Sequence, residues 1–167
     1  MHQTTARGRA LGHIVLNVRD LARSVPFYVE ALGLRVVGRV DEADRQRIGD
    51  IVFLSFGANH HDVGLREVPT VGAPAGDPRH PPCAGLAHVA FRLGDRIDDL
   101  EHVFRRVVRA GAQGVRAVDH GATRSLYFND PDGLVLEAFV GDDTLPDEPL
   151  SIVATPLSTD FQAGTVG

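Results

Sequence analysis

The pattern of apolar and polar residues divides most of the chain into short strand-like segments and two helix-like segments. The strand-like segments are apolar runs rich in valine, leucine and isoleucine, whereas the helix-like segments place apolar residues three or four positions apart. Each half of the chain shows one strand, then a helix, then three strands. The predicted strands are residues 11–18, 34–40, 51–56, 62–68, 86–93, 114–118, 125–128 and 134–140, and the predicted helices are residues 20–32 and 95–110.

The two predicted helices differ in regularity. In the first, Pro26 would remove a hydrogen bond from the helix interior. We therefore expect only a turn from Asp20 and a helix that begins near Ser24 or Val25, so that Pro26 lies in the first turn. The second helix is regular, with Asp95 as its N-cap and an apolar face that comprises Ile97, Leu100, Phe104, Val107 and Val108.

The two halves of the chain form an internal repeat. Leu11-Gly-His13-Ile-Val and Leu86-Ala-His88-Val-Ala place a histidine at the same position in the first strand of each half. The sequence therefore predicts an α+β fold of two βαβββ modules. The predicted division is an N-terminal tail at residues 1–10, a first module at 11–68, a proline-rich linker at 69–85, a second module at 86–140, and a loosely docked or disordered C-terminal extension at 141–167.

Composition and charge narrow the classes of function. The chain has 167 residues and a formal net charge of -5. It lacks the clustered lysine and arginine that bind nucleic-acid phosphates, and it has no long apolar segment of the membrane-spanning kind. Cys83 is the only cysteine, and the polar residues 1–9 do not resemble a secretory signal. We therefore expect a cytoplasmic protein with a small-molecule partner, and neither nucleic-acid nor membrane binding.

Glu137 lies in an apolar strand near the end of the second module, where an unpaired carboxylate would be costly to bury. A metal ion is the natural partner for such a group. The preceding sequence Asp-Pro-Asp-Gly at residues 130–133 is a strong β-turn signal, because proline presets φ and glycine accepts a positive φ. This turn makes the strands on either side antiparallel neighbours, so that Tyr127 and Glu137 can face one cavity.

The residues around this turn resemble a family signature. Val118-Asp-His120, Leu126-Tyr127, the turn at residues 130–133 and Glu137 are spaced as in the type I extradiol ring-cleavage dioxygenases of the vicinal oxygen chelate superfamily. The resemblance covers residues 11–140 and implies a single vicinal oxygen chelate domain, whose paired modules form a curved sheet around a metal cleft. It also implies that Glu137 is an iron ligand and that His120 and Tyr127 contact the substrate.

The resemblance implies that the metal ligands are His13, His88 and Glu137. Two imidazoles and one carboxylate form the facial triad of non-haem Fe(II) proteins, which leaves coordination positions open for substrate and O2. Fe(II) is the expected metal, with Mn(II) as an alternative. The competing interpretation is that each histidine is a half-buried strand residue with an ordinary hydrogen bond.

A second group of candidate residues is Asn59-His60-His61-Asp62. It resembles the segment in which extradiol enzymes carry a catalytic acid-base histidine, and the resemblance selects His61. Since strand side chains alternate, only one of His60 and His61 can face the cavity. Asp62 lies as far after His13 as Glu137 lies after His88. By repeat logic, Asp62 could therefore be a fourth metal ligand, and the alternative is an ordinary solvent-exposed carboxylate.

The function that follows from the resemblance is Fe(II)-dependent extradiol (meta) cleavage of a catechol-type aromatic diol by O2, in a homo-oligomer. The catalytic residues would be His61, Tyr127 and His120. One alternative is a metal-dependent lyase or isomerase like the glyoxalases and epimerases, with Asp62 as a ligand. The other is a non-enzymatic resistance protein that binds a small molecule.

Overall fold

The computed structural model describes residues 10–68, 85–141 and 153–157. The first module comprises β1 (Ile14–Val18), α1 (Leu21–Leu32), β2 (Arg35–Arg39), α2 (Glu42–Ile48), β3 (Ile51–Ser55) and β4 (Val63–Glu67). The second comprises β5 (Val89–Gly94), α3 (Asp99–Arg109), β6 (Gln113–Asp119), β7 (Thr123–Asn129) and β8 (Val135–Gly141), and β9 (Thr155–Pro156) follows it.

The strands form two sheets, one from each module. Their strand orders are β1-β4-β3-β2 and β5-β8-β7-β6-β9. In both sheets the first strand of the module is parallel to its last strand, and the other pairs are antiparallel. This topology confirms the predicted α+β fold of paired βαβββ modules. Within one chain the two sheets are separate, and β1 and β5 are each an edge strand of their own sheet.

One apolar core lies between the two sheets and includes α1 and α3, which pack against each other. Leu16 and Leu65 of the first sheet and Leu126 and Leu136 of the second are almost completely buried in it. Since the helices cover these faces, the side chains of alternate strand residues point to the opposite, open faces. The histidines that precede β1 and β5 are solvent-exposed.

The turn at residues 130–133 connects the second module to α1 of the first. The Tyr28 hydroxyl donates a hydrogen bond of 2.9 Å to Asp130, and Arg19 forms a 2.6 Å ion pair with Asp132. Burial raises the pKa of the Tyr28 hydroxyl well above 10.0, and the Asp130 charge adds to this effect. Burial also raises the pKa of Asp130. The two aspartates of this turn therefore fasten the modules together.

The start of α1 differs from the prediction. The helix begins at Leu21, and Pro26 lies inside it, so the expected start near Ser24 or Val25 is wrong. The Asp20 side chain caps the helix by accepting a 2.7 Å hydrogen bond from the backbone of Ala22. This cap nucleates the helix before the proline, and packing of the buried face of α1 outweighs the one backbone hydrogen bond that Pro26 cannot make.

The other helices also depart from the predicted pattern. The sequence pattern did not predict α2, and none of its residues is buried, so it has no apolar periodicity to detect. The second predicted helix begins at Asp99 instead of Asp95. Its packed face includes Val103, whereas Val108 is 43% exposed. The rotation of a helix about its axis decides which residues face the core. In α3 that rotation buries Leu100, Val103 and Val107.

The ends of the chain and the linker are described only in part. Residues 1–9, residues 69–84 of the predicted linker at 69–85, with Cys83, and residues 142–152 and 158–167 lie outside the described residues. Within the C-terminal extension, β9 pairs with the edge of β6, and Leu157 donates a backbone hydrogen bond to Ala117. Residues 153–157 of the predicted loosely docked or disordered extension are therefore docked against β6. No helix in the described ranges is long and apolar enough to span a membrane.

Candidate metal centre and substrate cavity

Glu137 lies near the middle of the open face of the second sheet. It is on β8, opposite Ala90 of β5 on one side and Tyr127 of β7 on the other. Its neighbours in sequence, Leu136 and Ala138, are completely buried on the helical side, so alternation turns Glu137 outward. The residue is nevertheless only 8% exposed. Side chains on the open face therefore cover the carboxylate.

Two of these side chains contact the two carboxylate oxygens separately. The buried Ser125 hydroxyl donates a hydrogen bond of 2.5 Å to Oε1, and His88 Nε2 lies 3.1 Å from Oε2. Two ligand atoms about 2.1 Å from one metal, at right angles, lie roughly 3 Å apart. The separation of His88 and Glu137 therefore fits two neighbouring ligands of one divalent ion.

Ser125 is a residue that sequence reasoning missed. It lies two positions before Tyr127, so alternation along β7 puts both on the face that carries Glu137. That alternation was the signal that could have identified it. A hydroxyl that donates to a carboxylate fixes the direction in which the other oxygen points, which is the usual effect of a group that supports a metal ligand.

Tyr127 and His120 form a chain of hydrogen bonds with the C-terminal segment. His120 Nδ1 lies 2.6 Å from the Val153 carbonyl oxygen, and Nε2 lies 3.1 Å from the Tyr127 hydroxyl. A carbonyl only accepts, so Nδ1 must carry a proton, and in neutral His120 the Tyr127 hydroxyl donates to Nε2. Burial raises the pKa of Tyr127 to about 12, and the charge of Glu137 contributes. Tyr127 is therefore a neutral hydroxyl at physiological pH.

His13 and His61 come together on the open face of the first sheet. Their ring centroids are 4.4 Å apart, and His61 also contacts Phe53 at 5.0 Å. The two Nδ1 atoms of His60 and His61 are 2.6 Å apart, so one donates to the other. Burial and the neighbouring His13 lower the pKa of His61. The Nε2 atom is then the nitrogen of His61 that can meet a ligand.

Asp62 faces its own loop. Its carboxylate accepts hydrogen bonds from the Asn59 amide at 2.6 Å, the Phe56 backbone at 2.8 Å and the Ser55 hydroxyl at 3.1 Å. Burial acts to raise the pKa of Asp62, and these hydrogen bonds outweigh it, so the pKa is lowered. In this arrangement the carboxylate closes the loop between β3 and β4.

The strand register places a different residue at the position that corresponds to Glu137. In the second sheet the second residue of β5, Ala90, pairs with Glu137. In the first sheet the second residue of β1, Val15, pairs with Gly64. The structural counterpart of Glu137 is thus Gly64, and equal sequence spacing pointed to Asp62 because the connections within the two modules differ in length.

The structure assembles the predicted site residues as two groups. His88, Glu137, Tyr127 and His120 lie on the second sheet, whereas His13 and His61 lie on the first. Across the ranges that the structure describes, no group of three or more His, Cys, Asp or Glu side chains is arranged to hold a metal. The expected convergence of His13, His88 and Glu137 is therefore not formed within a single chain, because β1 and β5 belong to separate sheets.

A cavity of about 540 Å³ opens beside the second group. This volume lies within the range of small-molecule sites. Two residues of the C-terminal segment, Ala154 and Pro156, contribute to its wall because β9 extends the sheet there. The remaining lining residues are Ala87, His88, Arg116, Val118, His120, Tyr127 and Val135.

Comparisons with known proteins agree with the fold. The chain is 32% identical over 157 residues to biphenyl-2,3-diol 1,2-dioxygenase 3 of Rhodococcus globerulus, which covers 92% of this chain and 70% of that protein. It is 31% identical to glutathione transferase FosA of Serratia marcescens, over 80% of this chain and 82% of that protein.

A solved structure shares the architecture. The glyoxylase/bleomycin resistance protein/dioxygenase domain from Frankia sp. EAN1pec matches with a TM-score of 0.64 and 25% identity, over 83% of this chain and 96% of that one. The family model described as Glyoxalase/Bleomycin resistance protein/Dioxygenase superfamily matches residues 10–138. The chain belongs to the glyoxalase/bleomycin resistance protein/dioxygenase superfamily.

Proposed function

We propose that the protein is an Fe(II)-dependent extradiol dioxygenase that cleaves a catechol-type aromatic diol with O2. The observation that carries this proposal is the position of His88 and Glu137, 3.1 Å apart on an open face, with Tyr127 and His120 beside the same cavity. Similarity to a biphenyl-diol dioxygenase over 92% of the chain supports it. Bound iron would supply the redox chemistry between the diol and O2.

The donor set fits three protein ligands better than four. His13, His88 and Glu137 provide two imidazoles and a carboxylate, the combination that suits non-haem iron. The position equivalent to Glu137 in the first sheet is Gly64, which has no donor, and the Asp62 carboxylate is engaged by its loop. A three-ligand set leaves room for both diol oxygens and for O2.

The roles of the other residues follow from their hydrogen bonds. His61 would accept a proton from a diol hydroxyl at Nε2 and later return it, since Nδ1 is occupied by His60. Tyr127 would hold a diol oxygen through its hydroxyl. The Tyr127 hydroxyl lies 3.1 Å from His120 Nε2, and its oxygen can accept a hydrogen bond from the diol.

A second copy of the chain would bring His13 and His61 to the site. The histidine-bearing strands β1 and β5 are both edge strands, and unpaired strand edges favour pairing with another chain. Val15 of β1 is 45% exposed and Leu86, just before β5, is 60% exposed. In a twofold dimer, β1 of each copy would lie beside β5 of the other, which gives two equivalent sites.

Mixing two inactive variants tests this arrangement. His13→Ala and Glu137→Gln should each abolish activity alone. If the site is shared between copies, a refolded equal mixture contains heterodimers with one intact site, and activity should return to roughly a quarter of the wild-type value. A mixture that stays inactive, with heterodimers present by native mass spectrometry, would place the whole site in one chain.

The reaction itself is tested by O2 uptake. Protein loaded with Fe(II) without air should consume O2 in equal amounts with catechol and produce a yellow ring-cleavage product. The Glu137→Gln variant, prepared in the same way, is the matched control and should consume none. Wild-type protein that holds iron and binds catechol but consumes no O2 would contradict the proposal.

A second candidate is metal-dependent chemistry without O2. The observation that favours it is the similarity to glutathione transferase FosA, of which the chain covers 82%. Loss of glutathione thiol in the presence of Mn(II)-loaded protein and fosfomycin, an epoxide, would support this candidate. Such a result without O2 uptake on catechols would replace the dioxygenase assignment.

A further inference from the structure

The cavity beside His88 and Tyr127 contains a cationic side chain that the proposed chemistry does not use. Arg116 lies on β6, directly across from Tyr127 of β7. Its guanidinium carbon is 4.2 Å from the centroid of the Tyr127 ring. Arg116 therefore lies next to the residue that would hold a diol oxygen, on the same wall of the cavity.

Several other arginines have carboxylate partners. On the same two strands, Arg124 forms a 3.1 Å ion pair with Asp119, and on the helices Arg109 pairs with Glu30 at 2.6 Å. Among the described residues, no ion pair to a carboxylate is found for Arg116. The nearby carboxylate of Glu137 is instead held by Ser125 and His88.

The contact with the Tyr127 ring leaves the donors of the guanidinium available. A guanidinium over the face of an aromatic ring does not use its N–H groups for that contact, so its edge can still bind a ligand. That edge is the part that binds a carboxylate through two parallel hydrogen bonds. The rest of the wall is mainly neutral or apolar, with Ala87, Val118, Val135, Ala154 and Pro156. Among the described residues, the cavity thus combines an apolar surface with a cation that has no carboxylate partner.

We propose that Arg116 binds an oxyanion carried by the substrate, so that the substrate class is an aromatic diol with a carboxylate substituent. The inference rests on the proposed ring cleavage and specifies its substrate. An apolar wall accepts the ring, and Arg116 binds the carboxylate. Neutral hydrocarbon diols would lack the second contact and bind less tightly.

The first experiment compares an acid with its neutral ester. For 3,4-dihydroxybenzoate and its methyl ester, wild-type protein should show a kcat/KM about 10- to 100-fold higher for the acid, mainly through KM, which is the range of a charge-assisted hydrogen bond. Arg116→Gln should remove this preference by lowering kcat/KM for the acid much more than for the ester. Arg116→Lys should restore part of it, because the charge remains and the two-pronged geometry is lost.

Arg124→Gln is the matched control, because it removes the same charge from the neighbouring strand and Arg124 pairs with Asp119. It should keep the full preference for the acid. Equal values for acid and ester in the wild type would overturn the proposal. So would an Arg116→Gln variant that loses activity on acid and ester alike.

A binding experiment separates this proposal from the proposed function. Calorimetry without metal or O2 should show that benzoate binds more tightly than benzamide to the wild type and to Arg124→Gln, but not to Arg116→Gln. If this holds and no diol is cleaved, ring cleavage is wrong and the anion site stands. If diols are cleaved while benzoate and benzamide bind equally, the anion site is wrong. Binding of phenylphosphonate but not benzoate would also overturn the carboxylate assignment.

Discussion

The open faces of the two sheets share a histidine at the same position before the first strand but differ in their other polar side chains. On the second sheet, His88 lies beside Glu137, and Ser125 and the turn at residues 130–133 support that carboxylate and its strand. On the first sheet, His13 lies beside His61, and the position of the carboxylate is taken by Gly64. One face offers an anionic ligand and the other a cluster of imidazoles.

This difference arises from the lengths of the connections within the two modules. Ile14 pairs with Val63, 49 positions later, whereas Val89 pairs with Leu136, 47 positions later. The longer connection in the first module moves Asp62 off the open face and into the loop, where three hydrogen bonds hold it. In the proposed function, the two modules would contribute a proton-transfer residue and a metal carboxylate separately, on the same backbone plan.

The largest expected effect is at the carboxylate of the second sheet. Glu137→Gln keeps the side-chain shape but is a neutral, much weaker ligand, so it should lose most bound iron and turnover while it remains folded. We expect metal affinity to fall by more than the roughly 10- to 100-fold that is typical of residues that only orient a ligand. Metal analysis measures the bound iron, and circular dichroism measures whether the variant is folded. Unchanged iron content would mean that Glu137 has a structural role.

The histidine of the first sheet provides the next comparison. His61→Ala should retain iron and bind catechol, yet lose turnover by about 10²- to 10⁴-fold, as for a missing general acid or base. His60→Ala is the matched control and should have a smaller effect, since His60 contacts Nδ1 and the ring of His61 and not the Nε2 atom proposed to transfer the proton. Loss of iron from His61→Ala would instead identify a ligand.

A smaller effect is expected from the hydroxyl that supports Glu137. Ser125→Ala removes the 2.5 Å hydrogen bond to Oε1 and should weaken metal binding by about 10- to 100-fold. At saturating metal, kcat should stay close to the wild-type value. Ser125→Thr keeps the hydroxyl and should bind metal like the wild type. Equal affinities for all three proteins would show that the bond does not orient the carboxylate.

The smallest effect is expected at Asp62, the carboxylate of the first sheet. Asp62→Asn should leave iron content unchanged and lower the free energy of unfolding by about 1 kcal/mol, because the amide nitrogen cannot accept a loop hydrogen bond. The pKa of Asp62 is lowered in the fold, so its stabilisation is present above pH 3.8 and is lost as the pH falls further.

The difference in unfolding free energy between wild type and Asp62→Asn should therefore shrink toward acidic pH. Urea unfolding at several pH values measures it. If iron is lost from Asp62→Asn and little changes in His61→Ala, the site has four ligands, and a lyase or isomerase replaces the dioxygenase.

The order of strands and the types of donor residue follow from the sequence alone. Apolar periodicity depends on neighbours within a few positions, and the histidines at residues 13 and 88 are found by comparing two short segments. Both signals are therefore visible without a structure. The same holds for the turn at residues 130–133, which makes Tyr127 and Glu137 cross-strand neighbours. Local signals of this kind predicted both βαβββ modules, which the structure confirms, and the candidate donor residues.

Tertiary structure decided which of these residues meet. The register between β1 and β4 depends on the length and path of the chain between them. Only the structure therefore shows that the counterpart of Glu137 is Gly64 and not Asp62. The same is true of the contact between His120 and Val153, which are 33 positions apart. The packing of α1 against α3 in one core, with β1 and β5 left as edges of separate sheets, likewise joins residues that are far apart in the sequence, so no local pattern shows it.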